Sequence, residues 1–342
     1  MKRVIQTVWI IAAMIGLQAS RTFAEVPEPE SRPLSEAAEP VPVDPSEVVP
    51  ETPPEPPARE GLLGLPEWML SEKPVPENPL PKHWTLFPAG DTFLPLLADP
   101  KQPRTELALQ RQYLPGPEKR LVGVFFLGDT FGFVRHTWKD PADPASPALQ
   151  ISVQGMANPQ VGYEDPYRGN LLYVDFFLGT QASFSWNRWS LRTRYYHQSS
   201  HAGDEFIRKN PAFVPIGLSY EAVEFIGAWD SDWWRVYGGG GVRTHIRPSW
   251  IKRADAHVGV EFRSPHRFFY IGRFVAGYDL KMHEINDFAP EHSFVVGTDF
   301  GEEVTGRRRF KVLFHYFHGK NFYGEFFRDH LVFYALALRF SL

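Results

Sequence analysis

Long stretches of alternating apolar and polar residues dominate the chain after about residue 120. In 189–199 the odd positions are mostly apolar and the even ones polar, and in 252–263 the apolar positions are the even ones. The same alternation covers 309–316 and 334–340. Because successive side chains of a strand point to opposite faces of its sheet, this period of two predicts half-exposed β-strands.

These runs and the breakers between them predict about twelve strands. The strands lie near 119–128, 131–138, 148–157, 171–184, 188–200, 218–229, 233–245, 251–263, 267–281, 292–301, 308–318 and 329–341. The ten prolines after residue 120 all fall between the runs, as expected because proline cannot donate to a sheet ladder. The short links 187–188, 231–232 and 264–266 would lie at one end, and the longer loops 158–170, 201–217, 282–291 and 319–328 at the other.

The length of the runs and the aromatic content favour a membrane. A strand of about 9–11 residues crosses a bilayer at a tilt, and 44 of the 51 aromatic residues follow position 120. We therefore predict an all-β fold, a transmembrane antiparallel up-and-down β-barrel of about twelve strands with an irregular N-terminal extension. Charged residues would line its lumen and aromatic residues would meet lipid. A soluble sandwich is the alternative that alternation by itself leaves open.

The N-terminus has the three-part pattern of an export signal. Lys2 and Arg3 precede an apolar stretch over 4–17, and Thr22-Phe23-Ala24 supplies a cleavage site. This pattern predicts a cleaved signal peptide over 1–24, with a single membrane anchor as the alternative. Together with the barrel it predicts location in the outer membrane of a Gram-negative-type bacterium, with outer-membrane lipid and the barrel-assembly machinery as partners.

Residues 25–118 differ from the strand-rich part because they contain 22 of the 32 prolines. Residues 25–60 hold ten acidic and two basic residues, which predicts a disordered linker. Apolar anchors reappear in 61–118, which predicts an irregular docking segment before a barrel over 119–342. The formal charge of −4 argues against a nucleic-acid partner, and the absence of cysteine excludes disulfides and thiolate metal sites.

The densest polar cluster lies in 195–206. By alternation, His197 and Ser199 share one strand face, which could bring an imidazole base near a hydroxyl nucleophile. His201, Asp204 and Glu205 offer metal-ligand types. The alternative is that these side chains form an ordinary polar rim at the membrane interface.

Sequence motifs in this chain resemble those of two protein families. The His-x-Ser pair resembles outer-membrane phospholipase A, a twelve-stranded barrel, which implies His197 as base and Ser199 as nucleophile, with calcium as cofactor and Asp204 and Glu205 as candidate ligands. Ser200 stands where that family has asparagine. Phe87-Pro-Ala-Gly-Asp-Thr-Phe-Leu-Pro-Leu-Leu-Ala-Asp-Pro-Lys-Gln-Pro-Arg104, His197-Gln-Ser-Ser-His-Ala-Gly-Asp-Glu-Phe206 and Tyr237-Gly-Gly-Gly240 resemble a bacterial envelope family of unknown function. That resemblance spans about 84–342 and implies a barrel with no established activity.

Three functional hypotheses therefore stay open. The first is a structural or interaction role in the cell envelope, with a lumen closed by paired charges. The second is a surface lipid or ester hydrolase. The third is a narrow anion-preferring channel, since basic residues such as Arg192, Arg194 and Arg243 are placed toward the lumen.

Overall fold

The protein forms a closed antiparallel barrel. The computed structural model describes residues 83–116, 118–140, 143, 145–268, 272–301 and 309–341. Within these ranges thirteen strands form one sheet, and pairing between the third and fourth strands closes twelve of them into a ring. The predicted all-β barrel of twelve strands is confirmed. The predicted signal peptide, the linker and positions 61–82 lie outside the described residues.

The elements follow one another in an up-and-down order. The strands are β1 (Trp84–Leu86), β2 (Thr105–Tyr113), β3 (Lys119–Thr137), β4 (Ala148–Gly162), β5 (Leu171–Trp186), β6 (Trp189–Ala202), β7 (Ser219–Asp230), β8 (Trp234–Arg247), β9 (Ala254–Phe268), β10 (Gly272–His283), β11 (Pro290–Phe300), β12 (Arg309–Lys320) and β13 (His330–Ser341). A short helix, α1 (Asp204–Lys209), follows β6. The strands β2 to β13 form the ring, and β1 pairs only with the end of β3.

The two ends of the barrel differ in their connections. One end, which we call the turn end, holds the end of β13 and the short links 187–188 and 231–233. The opposite end, which we call the loop end, holds 163–170, 203–218, 284–289 and 321–329. The predicted separation of short links from long loops is therefore present, with two longer connections, 138–147 and 301–308, at the turn end.

The polarity of the wall is inverted relative to a soluble protein. Leu178 and Leu336 face outward and are 63% and 61% exposed, whereas Arg192 and Arg194 face the lumen and are 1% and 2% exposed. Outward-facing tryptophans cluster at the turn end, among them Trp186, Trp189, Trp233 and Trp234. An apolar outer belt with an aromatic girdle is the pattern of an outer-membrane-type barrel.

The number of ring strands agrees with the prediction, but two predicted strands were wrong. The runs 119–128 and 131–138 form the single strand β3, and Asp129-Thr130 is not a link. The strand continues because β4 pairs without interruption with residues 127–132, where Gly128 lies close to the backbone of Gly155. The missing ring strand is β2, so the barrel begins at Thr105 rather than at 119.

The prediction that every late proline lies between strands was also wrong. Pro159 lies in β4, Pro265 in β9 and Pro290 at the first position of β11, and 264–266 is not a link. Pro159 stands where the β3–β4 pairing is interrupted between Val124 and Leu127, and Pro265 stands at a register shift against β10. Proline is tolerated at such irregularities because no ladder hydrogen bond is lost.

Helices contribute little to the fold. Among the described residues, no helix is long and apolar enough to cross a membrane.

Candidate functional site in the barrel lumen

Residues 87–104, which we call the lumen segment, leave the wall after β1, pass through the lumen and return at β2. Phe93, Leu96, Ala98 and Asp99 are each at most 1% exposed. Their side chains contact lumen-facing residues of strands from all around the ring, as described below. The surface on which this irregular segment docks is therefore the inside of the barrel.

The chain turns out of the wall at two residues with left-handed backbone. Phe87 has φ of 48° and Gly90 has φ of 69°. Glycine adopts this conformation without a steric cost. Phe87 does so while its ring contacts Phe131 and Phe133 of β3, with centroids 5.7 and 5.6 Å away. These contacts hold the point at which the lumen segment begins.

Asp91 fastens the start of the lumen segment to β4 and β5. Its carboxylate accepts hydrogen bonds from the Ser183 hydroxyl at 2.5 Å and the Gln181 amide at 2.6 Å. The Ser152 hydroxyl lies 3.4 Å away, and the backbone N–H of Phe93 donates at 3.0 Å. Four donors thus satisfy the lone pairs of a single carboxylate.

Phe93 lies between two buried guanidinium groups. The carbon of the Arg192 guanidinium is 4.8 Å from the ring centroid, and that of Arg235 is 4.4 Å away. Both distances are within the range of attractive cation–π contacts. Arg235 also donates to the carbonyl of Leu94 at 2.8 Å, so it holds both the ring and the backbone.

Side chains of the wall also bind the peptide groups of the lumen segment. The N–H of Leu97 donates to Glu261 at 2.5 Å, and its carbonyl accepts from Arg339 at 2.9 Å. The Ser293 hydroxyl donates to the carbonyl of Ala98 at 2.6 Å. A buried segment without regular structure needs such partners because unpaired peptide groups are costly.

Asp99 is the central anchor of the lumen segment. Its carboxylate lies 2.5 Å from the Lys281 ammonium and 3.9 Å from the Arg194 guanidinium. It also accepts the backbone N–H of Lys101 at 2.8 Å. We call the contact between Asp99 and Lys281 the lumen ion pair. Because both groups are buried, removal of either would leave an uncompensated charge.

Arg104 shapes the turn that follows Asp99. Its guanidinium donates to the carbonyls of Asp99, Pro100 and Gln102, each at 3.1 Å, and to the carboxylate of Glu106 at 3.3 Å. One side chain thus binds three consecutive parts of the turn and connects it to the first residues of β2. This accounts for the need for arginine, whose planar group carries five donors.

The lumen-facing charges of the wall are paired with one another. Glu224 contacts Arg192 at 3.0 Å and Arg194 at 2.7 Å. Arg192 also donates to the side chain of Gln102 in the lumen segment at 2.8 Å. The predicted placement of Arg192, Arg194 and Arg243 toward the lumen agrees with their burial. Their positive charge is largely compensated by carboxylates and carbonyls.

Aromatic side chains close the loop end. We call them the aromatic cap, formed by Tyr173, Phe206, Phe213, Phe322, Tyr323 and Phe326. The ring of Phe213 lies 5.2 Å from Phe206 and 5.3 Å from Phe326. Glu325 joins two loops, because its carboxylate accepts the backbone N–H groups of Ile216 at 2.8 Å and Gly217 at 3.0 Å.

Two small cavities lie beside Lys101 at the end of the lumen segment, and one of them also reaches Phe322 of the aromatic cap. Each has a volume of about 10 Å³, which is room for about one water molecule. Lys101, Lys281 and His283 line both of them. In the described part of the chain the lumen segment and the aromatic cap thus occupy much of the barrel interior.

The predicted hydrolytic residues lie on the outer face near the loop end. His197 and His201 face outward, and Ser199 shares their face. The imidazole of His197 lies 3.5 Å from the hydroxyl of Ser219 on β7, and within the described residues no hydrogen bond joins His197 to Ser199. The catalytic roles of His197 and Ser199 stay a prediction.

The predicted metal ligands are not gathered around one point. Asp204 and Glu205 begin α1, and Glu205 pairs with Arg208 at 3.0 Å. The ring of His201 contacts Phe176, with centroids 6.1 Å apart. Among the described residues no group of three or more histidine, aspartate or glutamate side chains could hold a metal ion.

The sequence did not predict that Asp91 and Asp99 occupy the lumen. A signal was present, because 87–104 combines apolar residues, two carboxylates and four prolines without strand alternation. Such a segment needs a surface with both apolar groups and donors. The interior of the barrel is such a surface, but it forms only when the wall closes.

Several solved barrel structures are similar to this chain. The KdgM porin has a TM-score of 0.37 and 8% identity over 69% of this chain and 99% of that one. The β-domain of the Bordetella autotransporter Brka has a TM-score of 0.35 and 11% identity over 70% and 99%. Pseudomonas aeruginosa OccK2 (OpdF) has a TM-score of 0.29 and 9% identity over 70% and 98%. No curated protein matches the chain.

The family comparison agrees with the predicted membership of a family of unknown function. The match covers residues 67–342, which include the lumen segment and the whole ring. The resemblance to outer-membrane phospholipase A stays a prediction. Since most of its length is matched, the chain belongs to the family described as protein of unknown function (DUF1207).

Proposed function

We propose that this protein is a sealed barrel of the outer membrane of a Gram-negative-type bacterium, with a structural or interaction role in the cell envelope. The observation that carries this proposal is the lumen segment, whose carboxylates, ring and peptide groups are bound by the wall. A channel that is open at rest would need a continuous water-filled path. The lumen segment and the aromatic cap occupy that path.

The same proposal includes export and orientation. A signal peptide over 1–24 would direct the chain to the envelope, and the turn end would face the periplasm, as is usual for barrels with short periplasmic turns. N-terminal sequencing of the mature protein and membrane fractionation test both statements. An uncleaved Met1 or recovery in the soluble periplasm would contradict them.

Conductance in planar bilayers tests the seal. We expect the purified protein to be silent, because the lumen is filled. The double variant Asp91→Asn/Asp99→Asn removes both carboxylates of the lumen segment that bind the wall, and we expect it to give discrete current steps. Steady conductance of the unaltered protein would overturn the proposal.

A disulfide lock supplies the matched control. A Cβ built on Gly277 of β10 would lie 3.2 Å from the Cβ of Ala98, close to the separation of a disulfide. The chain has no cysteine, so Ala98→Cys/Gly277→Cys would react only with itself. In the double-asparagine background, we expect the oxidised lock to abolish current and the reduced lock to restore it. Equal current in both states would show that the lumen segment is not the barrier.

A second candidate is a gated channel that prefers anions. It is favoured by the basic groups that bind the lumen segment, namely Arg235, Lys281 and Arg339. These groups would lose partners if the segment left the lumen. Reversal potentials of the double-asparagine variant under a salt gradient test this candidate. Cation preference would contradict it.

Lipid hydrolysis by His197 and Ser199 is the remaining alternative. Purified protein in mixed micelles, with and without calcium, would have to release fatty acid from phospholipid. Full activity of Ser199→Ala would contradict the assigned nucleophile. An inactive unaltered protein would contradict the hydrolase itself.

A further inference from the structure

Three histidines form a row across neighbouring strands at the loop end. His292 of β11 is the register partner of His318 of β12, and Lys320 of β12 is the partner of His330 of β13. The ring centroids are 6.1 Å apart for His292 and His318, and 4.7 Å apart for His318 and His330. We call these three residues together with Lys320 the histidine row.

The histidine row faces away from the lumen. His292 lies between Glu291 and Ser293, which are 3% and 1% exposed and point inward, so the imidazole points outward. His318 and His330 are exposed. Farther from the loop end, the same outer faces of these strands carry apolar and aromatic side chains, namely Phe294, Phe314, Tyr334 and Leu336. The row therefore lies at the boundary between the apolar belt and the loops.

Among the described residues, the imidazole and ammonium N–H groups of the histidine row do not pair with carboxylates. In the part of the chain that the structure describes, none of its four members is within ion-pair distance of an aspartate or glutamate. Lys320 donates to the carbonyl of Arg328 at 2.7 Å, and two of its three N–H groups remain. By contrast, the outward His245 of β8 is paired with Glu221 at 2.8 Å.

Tyrosine fixes one end of the row. The hydroxyl of Tyr278 lies 2.7 Å from Nδ1 of His292, which leaves Nε2 of that ring for a ligand. Asp329 in the adjoining loop interacts electrostatically with Lys320.

We propose that the histidine row binds the phosphate group of a membrane lipid whose acyl chains lie along the apolar belt beside it. A phosphate oxygen accepts hydrogen bonds from imidazole and ammonium donors. Basic side chains at headgroup level attract anionic lipids. The row lies on a convex wall and cannot enclose a free ion, so the adjoining apolar surface must supply part of the affinity. This site rests on the proposed membrane location but not on the seal of the lumen.

Native mass spectrometry of the detergent-purified protein tests the site. The probes are phosphatidylglycerol, a diacylglycerol with the same acyl chains, and inorganic phosphate. We expect retention of phosphatidylglycerol, and the variant His292→Gln/His318→Gln/His330→Gln/Lys320→Gln should lower its retention by about tenfold. Equal retention by the variant, or equal retention of diacylglycerol, would overturn the proposal.

A control variant on the opposite wall separates a site from general surface charge. His201→Gln/His245→Gln/Lys252→Gln removes two histidines and a lysine near the same end, and we expect no change in lipid retention. Equal loss in this control would overturn the assignment to the histidine row. Displacement of the lipid by inorganic phosphate at matched concentration would also overturn it, because it would show a site for the free ion.

A failure of lipid binding can be distinguished from a failure of the proposed sealed barrel. Lipid retention is measured in detergent and does not depend on conductance. If the fourfold variant does not fold, as judged by circular dichroism, Lys320→Gln and His318→Gln replace it, each with an expected loss of severalfold. Unchanged retention in both single variants would then contradict the proposal.

Discussion

The lumen segment and the aromatic cap both fill the barrel, but by different physical means. The lumen segment is bound by ion pairs and hydrogen bonds such as those of Asp91 and Asp99, whereas the cap is held by contacts among rings such as Phe206 and Phe213. Apart from Tyr173 of β5, the cap is built from loops that are covalently continuous with the ring strands. The lumen segment replaces a stretch of wall between β1 and β2.

This difference indicates which closure could be released. Polar contacts can be exchanged for water as the lumen segment leaves, so their net contribution per hydrogen bond is modest, and the hydrophobic cost of release comes from buried side chains such as Phe93 and Leu96. Exposing a cluster of buried rings costs the full hydrophobic free energy of its surface. We infer that the lumen segment, which is bound partly by polar contacts, is the more easily released closure and that the cap is the more permanent one. The predictions below test this contrast, beginning with the largest effect.

The first prediction concerns the lumen ion pair. Asp99→Asn should lower the free energy of unfolding by about 3–5 kcal/mol, because it leaves Lys281 buried and unpaired. Adding Lys281→Met should recover part of that loss, because the isolated charge is then removed. Both values can be measured by urea unfolding in detergent. A double variant that is less stable than Asp99→Asn would contradict the ion-pair account.

The control for this prediction is an exposed pair at the turn end. Asp232 contacts Arg188 at 2.8 Å, but both side chains are more than half exposed. Asp232→Asn should therefore change stability by less than about 1 kcal/mol. A comparable loss at both aspartates would show that burial does not set the size of the effect.

The second prediction concerns the aromatic cap. Phe206 is 3% exposed and contacts Tyr167, Phe213 and Phe326. Phe206→Ala should cost about 3 kcal/mol through the cavity it leaves, yet we expect no conductance because the lumen segment still fills the barrel. Phe314→Ala, on the outer face, is the control with a smaller expected loss. Current through Phe206→Ala would assign the barrier to the cap instead.

The third prediction probes how closely the lumen segment fits. A methyl group on Gly277 would approach the Cβ of Ala98 to 3.2 Å. Gly277→Ala should therefore destabilise the barrel by about 1–2 kcal/mol through overpacking. At Gly227 of β7, a Cβ would meet nothing within 4 Å, and Gly227→Ala should be neutral or slightly stabilising. Equal melting temperatures for the two variants would mean that the segment adjusts freely.

The smallest expected effect lies in the loops outside the lumen. The backbone N–H groups of Ala254 and Arg253 donate to the Glu284 carboxylate at 3.0 and 3.1 Å and lower its pKa. A lowered pKa in the folded state stabilises it above the ordinary pKa of glutamate, about 4.3, and this contribution is lost as the pH falls below it. Glu284→Gln should slightly lower the melting temperature at pH 7 but not at pH 3. A shift of the same size at both values would contradict this.

Much of the ring could be predicted from alternation alone. Nine of the twelve predicted strands overlap single strands of the structure between β4 and β13, and a tenth, 267–281, covers most of β10 but also the last two residues of β9. The errors occurred around β2 and β3, where local signals conflicted. Gly128, Asp129 and Thr130 resemble a turn, yet they continue a strand because Thr130 accepts a hydrogen bond from Gln154 of β4. Only the partner strand resolves that conflict.

Less of the candidate site than of the ring could be predicted from the sequence. The outward placement of His197 and Ser199 follows from alternation, but the nearest partner of His197 is Ser219, twenty-two residues along the chain. The contact between Asp99 and Lys281 spans 182 residues. Such pairs come together only through the register and closure of the ring, which no local pattern encodes.

The sequence by itself determined that long strands with one apolar and one polar face must form and that an irregular, proline-rich segment precedes them. The physical reason is local, because the period of two and the lack of an N–H in proline act within a few residues. Only the tertiary structure decided that Thr105–Tyr113 completes the ring and that 87–104 fills it. A lumen exists only after the first and last ring strands meet, and its buried charges select their partners from strands that are distant in the chain.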